Sequence, residues 1–313
     1  MPVQTVTIPK AAPATQSLRV VDAAELLALP IPPRETWLSP WLTSQSLAMI
    51  YGWRGVGKTH VSLGVSYALA SGGSIFGWSA ATPRRVLFID GEMPAAALQE
   101  RLARLTESSP REAAPGALRF LTPDLQRQGM PNLCSPDGQR AVAEIIADAE
   151  VIVIDNLTTV ARGGRENESE SWQPVAGWAL AQRSAGRSVV FLHHSGKGGQ
   201  QRGTSAREDV LDTVIALRRP SDYEPKQGAR FEVHYEKARG LAGADTDPFE
   251  AGLHVDHEGR QHWQCKPVTA ARSDRILELK ELGMTQSEIA QELGVNKSTI
   301  CRALKLLPGG RHD

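Results

Sequence analysis

The sequence predicts an α/β protein: a mostly parallel sheet with an antiparallel extension, plus a small all-α domain at the C-terminal end. Three observations carry this expectation. Between residues 47 and 193, short fully apolar runs alternate with helical patterns, and buried strands separated by helices mean βαβ units and a parallel sheet. After Gly203 the texture shifts to shorter strand patterns joined by turns such as His257-Glu258-Gly259, which suits antiparallel pairing. From 271 to 307 only helical periodicity remains. The expected organisation is an arm over 1–17, an α/β domain over 18–266 and a helical domain over 271–307, with Lys266-Pro267-Val268-Thr269 as the linker.

Bulk properties narrow the function classes. A hydrophobic fraction of 41% in 313 residues is ample for a buried core. The formal net charge is zero, so any nucleic-acid contact must come from local basic patches rather than a global field. Cys134, Cys265 and Cys301 lack ligand-like spacing, which argues against a disulfide framework and a zinc site. No apolar run approaches membrane-spanning length and the N-terminus lacks a signal pattern, so the expectation is a cytoplasmic protein with no membrane partner.

Taken in order, residues 1–17 are rich in Ala, Pro, Thr and Gln without periodicity and read as a disordered arm. A short helix over 22–29 gives way to Pro30, Pro32 and Pro33. Trp37 and Trp41 then offer apolar anchors, for this domain or for a neighbouring subunit. A strand over 47–51 runs into Gly52-Trp53-Arg54-Gly55-Val56-Gly57-Lys58-Thr59, and a helix follows to about residue 71. The run fits G-x-x-x-x-G-K-[ST] at every position and has the strand-then-helix context the motif needs. Its glycines let successive N–H groups turn inward, and the helix N-terminus adds partial positive charge, so the loop suits a phosphate. Lys58 can reach β- and γ-phosphates and the Thr59 hydroxyl can ligate Mg²⁺. The expected nucleotide contacts are Gly52, Gly55, Val56, Gly57, Lys58, Thr59 and His60, with ATP and Mg²⁺ as cofactors. The alternative is a glycine-rich turn without ligand.

The strand over 85–90 ends in Asp90-Gly91-Glu92 before a helix over 94–106, and a weaker strand covers 118–121. A helix over 136–147 precedes the most apolar strand, 151–155, which ends in Asp155. After a helix over 170–184, the strand over 188–193 ends in His193-His194. Ligands bind at the carboxyl ends of parallel strands. There Asp155 can hold Mg²⁺, directly or through a water shared with Thr59. Glu92 can polarise an attacking water, an effect of about a hundred- to ten-thousand-fold; alternatively it caps the helix at Pro94. The histidine pair suits a sensor of the γ-phosphate. Neighbours on a strand point to opposite faces, which argues against the pair as a metal site.

Together these motifs resemble a RecA-like ATPase, specifically the small hexameric replicative helicases of the plasmid RepA type, related to the DnaB class. The resemblance spans about residues 41–243 and runs through the phosphate loop, Phe88-Ile89-Asp90-Gly91-Glu92, Val153-Ile154-Asp155-Asn156 and Phe191-Leu192-His193-His194-Ser195-Gly196-Lys197-Gly198. It continues in Arg202-Gly203-Thr204-Ser205 and Asp212-Thr213-Val214-Ile215. It implies that Glu92 activates water, that Asp155 serves Mg²⁺, and that His193 or His194 couples nucleotide state to the loop after it. The glycine-rich stretch 195–205, with Lys197 and Arg202, resembles a central-pore loop for single-stranded DNA, suited to backbone contacts; the alternative is an unspecialised surface loop. A second candidate is 158–167, with Arg162 and Arg165. Lys237-Ala238-Arg239 resembles the Lys-x-Arg pair that such helicases insert into the neighbouring subunit's ATP site, where a cation is worth about a thousandfold or more. Arg207 and Arg218 compete for that role. The implied assembly is a homo-oligomer, expected to be a hexamer.

In the C-terminal stretch, a helix over 272–282 ends at Gly283, and Thr285-Gln286-Ser287-Glu288 forms a capping box for a helix over 285–293. Gly294 makes a turn and Asn296 caps a third helix over 297–306, with Ala290, Val295, Ile300 and Leu304 as core. The pattern is similar to helix-turn-helix units of resolvase-type and regulator proteins, in which the last helix enters the major groove of duplex DNA. Lys297, Ser298, Thr299 and Arg302 would face the DNA. Glu278, Glu281, Glu288 and Glu292 offset the basic charge, so weak binding, or a protein-docking role, is the competing expectation. RepA-type helicases are not defined by such a module. The functional expectation is an ATP-driven, ring-forming DNA helicase or translocase for replication of a plasmid, phage or integrated element. A DNA-binding ATPase regulator, partition or recombination factor is the alternative, and a small-molecule kinase a third.

Overall fold

The computed structural model describes residues 18–163, 169–195 and 208–306. The arm at 1–17 and the tail after 306 lie outside the described residues. Met1–Pro33 forms one unit and Arg34–Asp313 another. In the first, helix α1 (Ala23–Ala28) is started by Asp22, whose carboxylate accepts from the Glu25 amide at 2.8 Å while Glu25 returns the bond to the Asp22 amide at 3.2 Å. This reciprocal cap satisfies two N-terminal donors that the helix itself cannot.

The second unit opens with an antiparallel hairpin, β1 (Thr36–Leu38) and β2 (Leu42–Thr43), which buries Trp37 and Trp41. Then come β3 (Leu47–Gly52), α2 (Lys58–Ser71), a second hairpin of β4 (Ser74–Ile75) and β5 (Trp78–Ser79), β6 (Val86–Asp90) and α3 (Ala95–Ser108). The middle of the chain supplies β7 (Leu118–Leu121), α4 (Pro136–Ala143), β8 (Val151–Asp155), α5 (Leu157–Val160), α6 (Ser169–Ser184) and β9 (Ser188–His194). The last part supplies β10 (Thr213–Arg218), β11 (Arg230–Ala238), β12 (Phe249–Val255), β13 (Gln261–Pro267) and three helices, α7 (Val268–Glu281), α8 (Gln286–Glu292) and α9 (Lys297–Leu306). Both small hairpins are absent from the sequence reading, because strands of two or three residues are too short to show a period.

Nine strands form one sheet in the order β13-β12-β11-β10-β3-β9-β8-β6-β7. From β10 to β7 every pairing is parallel, and from β10 to β13 every pairing is antiparallel. The expected parallel sheet with an antiparallel extension is therefore the observed fold class. Each face carries its own core. On one, α2 and the second hairpin pack with an aromatic group in which the Phe76 ring lies 4.7 Å from Trp263 and 5.9 Å from Phe231, both edge-on. On the other, α6 packs Trp172 edge-on against Phe191 at 5.4 Å.

The expected linker over 266–269 does not exist as such. Strand β13 continues to Pro267, which caps α7, and the helix begins at Val268. Val268 and Ala271 are buried, and the Val268 amide donates to the Pro248 carbonyl at 3.2 Å, so packing claims residues that composition assigned to a connector. The three helices enclose a core of Ile276, Leu279, Ile289, Ala290, Leu293 and Ile300, with Val295 and Leu304 half-buried at its margin. The capping box forms as expected: Thr285 Oγ1 accepts from the Glu288 amide at 3.3 Å and Glu288 accepts from the Thr285 amide at 2.7 Å. No helix among the described residues is long and apolar enough to cross a membrane.

Candidate functional site

Strand register gathers the site. Gly52 at the end of β3 lies opposite His194 of β9 and Leu217 of β10, and Asp90 of β6 lies opposite Asp155 of β8. All five positions stand on the carboxyl edge of the parallel strands, where ligands bind in such sheets. The loop over 52–59 turns there with Gly55 at φ +74° and Gly57 at φ +118°, a left-handed backbone that side chains resist. Gly57 also faces Phe231, whose ring would lie 3.0 Å from an added Cβ. Val56 is buried and anchors the loop from below. The cleft that opens between this loop and the strand ends has a volume of about 460 Å³ and is lined by Lys58, Thr59, His60, Glu92, Asp155 and His194, among others.

Lys58 Nζ donates to the carbonyls of Gly52 and Trp53, both at 2.9 Å. Burial lowers its pKa to about 8, against the upward pull of Asp155 and Glu92. An ammonium desolvated in this way gains from any phosphate that arrives. Asp155 is buried, which pushes its carboxyl up to about 6, opposed by hydrogen bonds from Ser62 (2.9 Å) and Thr59. A desolvated carboxylate beside a threonine hydroxyl is a hard-oxygen pair, and that donor set fits Mg²⁺ with phosphate oxygens and waters completing the shell. His60 is neutral: burial first, then Arg101 and Arg104, lower its pKa to about 4.

Glu92 is not the helix cap. Helix α3 is capped from outside, by Asp124 accepting from the Ala95 amide at 2.8 Å, and Asp90 takes the Glu92 and Met93 amides at 3.2 and 3.1 Å. The Glu92 carboxyl is left at the cleft, 3.6 Å from His194 Nε2. His194 first, with Asn156 and Lys58, holds that carboxyl below its usual range despite partial burial. Nε2 also lies 3.0 Å from the Asn156 amide nitrogen, so the proton position on the ring decides whether it serves Asn156 or Glu92. Asn156 is fixed in turn by its Oδ1, which accepts from the Thr158 amide at 3.0 Å.

Gly91 makes this geometry possible. Its amide donates to the Asp155 carbonyl at 2.7 Å, and an added Cβ would lie 2.5 Å from Thr159 Cβ and still closer to its hydroxyl. Gly91→Ala is expected to cost about 1–3 kcal/mol in unfolding stability and to impair turnover by displacing Glu92, measurable by denaturant titration beside an ATPase assay. An unchanged protein would mean that α5 yields freely.

Of the histidine pair, the structure brings only His194 to the cleft. His193 is buried on the opposite face of β9, as strand alternation requires. Lys237 and Arg239 do not meet the phosphate loop of their own chain. Ala238 lies opposite Thr213 at the start of β10, and Thr213 opposite Ala48, so both cations stand at the other edge of the sheet. There Lys237 Nζ donates to the Glu208 carbonyl, and Arg239 Nη2 to the Asp209 carbonyl at 3.1 Å. Arg218 pairs with Glu236 at 2.6 Å.

The loop candidates fare unevenly. Lys197, Arg202, Arg165 and Arg207 lie outside the described residues. The expected loop at 158–167 begins as helix, since Leu157–Val160 is α5, and the exposed Arg162 is tied back to the Met130 carbonyl. On α9, Lys297, Ser298 and Arg302 are exposed and Thr299 is half-buried.

Sequence reasoning missed Asn156, Ser62 and Arg219. Asn156 lies within Val153-Ile154-Asp155-Asn156, where the carboxylate is the group with a recognisable role. Arg219 had no local signal, since only the fold shows that its Nη2 donates to the Gly55 carbonyl at 2.5 Å and that its guanidinium lies 3.5 Å over the Tyr223 ring.

Comparison with known proteins places this geometry. Residues 275–310 match the family model described as a homeodomain-like domain. No curated protein matches the chain. Among solved structures, a KaiC-like protein, PH0186, from the hyperthermophilic archaeon Pyrococcus horikoshii OT3 is similar in fold, at TM-score 0.50 and 16% identity, over 74% of this chain and 94% of that one. Residues 11–200, more than half of the chain, match the family model described as an AAA domain. The chain therefore belongs to that family, as an ATPase of RecA-like fold with a homeodomain-like module at its C-terminal end.

Proposed function

We propose that this ATPase is a ring-forming DNA helicase or translocase of the plasmid RepA type, acting in the cytoplasm on replication of a plasmid, phage or integrated element. The observation that carries the reading is the position of Lys237 and Arg239 at the edge of the sheet opposite their own phosphate loop. Cations placed there can reach a nucleotide only in a neighbouring subunit, which makes hydrolysis a property of the assembly. Within one chain, Lys58 neutralises phosphate charge and Glu92 orients the attacking water. His194, at the end of β9, reports phosphate state to the loop that follows it and that would contact single-stranded DNA through Lys197 and Arg202. Thr59 and Asp155 would hold Mg²⁺, which when bound offsets charge on the transferring phosphoryl group.

Unwinding of a forked DNA duplex tests this. Wild type unwinds with Mg·ATP, whereas Lys58→Ala does not. Mixing in Arg239→Ala subunits depresses the rate more than in proportion to their fraction, because each altered subunit spoils its neighbour's site. A chain that stays monomeric with Mg·ATP and DNA and separates no strands rules the reading out. A second reading, an oligomeric regulator, partition or recombination factor, is favoured by one observation: α7 is tied by an ion pair from Arg275 to Asp222, three residues beyond the arginine on the phosphate loop. Footprinting of a duplex site without strand separation would support it.

A further inference from the structure

We propose that nucleotide in the phosphate loop controls the helix-turn-helix of the same chain through residues 219–223; this rests on the loop being a nucleotide site. Arg219 is the proximal end of the link. Its guanidinium is held by the Gly55 carbonyl at 2.5 Å, lies 3.5 Å over the Tyr223 ring, and lines the phosphate cleft beside Lys58. Asp222 is the distal end. It accepts from both terminal nitrogens of Arg230, at 3.1 to 3.2 Å, and lies 3.5 Å from Nε of Arg275 in α7. Glu250 holds the other side of Arg230 at 2.9 Å.

Two carboxylates thus face two guanidiniums in a setting with little solvent, since the side chains of Asp222 and Glu250 are 10% and 9% exposed. Separated from Arg275, Asp222 would keep Arg230 and Arg275 would keep Glu278 at 2.9 Å, but each would lose an opposite charge in a setting with little water, so movement of Asp222 is coupled to Arg230 and Arg275 together. Arg275 belongs to a helix with two attachments. Val268 and Ala271 of α7 are buried beside the antiparallel strands, while Ile276 and Leu279, one turn later, belong to the helix-turn-helix core. Leu293, at the end of α8, lines a small cavity together with Asp222, Arg230 and Glu250. A displacement at Asp222 is therefore felt in two of the three helices.

The trigger is charge competition. Lys58 and Arg219 are both held by carbonyls of the loop, and a triphosphate offers each a stronger, charge-assisted acceptor. Arg219 released from Gly55 and drawn to phosphate pulls a segment only three residues long, which spans at most about 10 Å. Slack in so short a segment is small, so the pull reaches Asp222. Linkage makes the effect reciprocal: if triphosphate changes the affinity for duplex DNA, duplex changes the affinity for triphosphate by the same factor, in the ordinary range of about 5- to 150-fold.

The test uses the full chain and two measurements on the same samples. A fluorescent ATP analogue reports nucleotide binding, and hydrogen exchange reports the amides of Val268–Glu281 with and without the slowly hydrolysed analogue ATPγS and Mg²⁺. In wild type, exchange in that helix is expected to change by about fivefold or more on nucleotide binding. In Asp222→Asn and in Arg275→Gln the nucleotide still binds, and the response of the helix disappears. A merely structural tie would hold α7 equally in both conditions, so nucleotide binding without any change in exchange overturns the inference and leaves the nucleotide site standing. A change that persists in both variants overturns the Asp222–Arg275 route. If no nucleotide binds to wild type, both readings fall.

Discussion

Glu92→Gln is expected to lower ATP turnover by about a hundred- to ten-thousand-fold while ATP still binds. Glutamine keeps the shape of the side chain and its ability to meet His194 and Asn156, but it cannot polarise water as a carboxylate does. The position is well suited to that task. The carboxyl sits at the cleft with its pKa held low by His194, Asn156 and Lys58, so it is ionised throughout the neutral range. Its neighbour Asp90 offers an internal control. That carboxylate is buried and committed to two backbone amides, which shapes the turn and leaves it unable to serve water. Phosphate release gives turnover, and titration with a fluorescent ATP analogue gives affinity. Full turnover in the glutamine variant would return the role of water activation to another group. Loss of binding with turnover would mean that Glu92 shapes the cleft rather than acting on it.

Asp155→Asn should have two opposite effects, a more stable protein and loss of Mg²⁺-dependent ATP hydrolysis. Burial raises the Asp155 carboxyl from 3.8 to about 6, so the folded state prefers it protonated. A folded-state pKa raised above the unfolded value favours folding at low pH, and the advantage is lost as pH rises through about 6. Above that pH the wild type therefore carries an ionised, desolvated carboxylate at a cost of at most about 3 kcal/mol. Asparagine removes the charge and can still accept from Ser62. Its gain in unfolding temperature is expected to be full at about pH 8 and to vanish only below about pH 3, where the wild-type group is neutral in both states. The same protonation withdraws a ligand from Mg²⁺, so the wild type's Mg²⁺-dependent nucleotide affinity should fall as pH drops below about 6. Calorimetry of both proteins across this range is the check. An asparagine variant no more stable at the alkaline end would show that the carboxylate is better solvated than its burial implies.

The cost at Asp155 and the lowered pKa of Lys58 have one origin. A buried anion and a buried cation are held near each other, each poorly solvated, in a cleft that Mg²⁺ and phosphate would neutralise together. Polar groups placed against their own stability are a common mark of functional sites.

Spacing along the chain is enough to set the elements and the chemistry at their ends. The phosphate loop, the strand ends Asp155 and Glu92, the change from parallel to antiparallel strands and the Thr285–Glu288 capping box all rest on spacing within a few residues. Such patterns act through local backbone geometry and the alternation of a strand, so they need no knowledge of what packs against them. Which of those groups meet depends on the fold. Parity within β9 leaves one histidine of the pair at the cleft, but only the neighbour order β3-β9-β8-β6 shows that it is His194, against Asn156 and Glu92. Register through β10 and β11 puts Lys237 and Arg239 at the far edge, although their sequence carries no sign of which edge they occupy. Arg219 on Gly55, 164 residues apart in sequence, and the missing linker before α7 follow from the same cause. Contacts between distant segments are set by burial summed over the whole sheet, and that sum is not written in any one window of the chain.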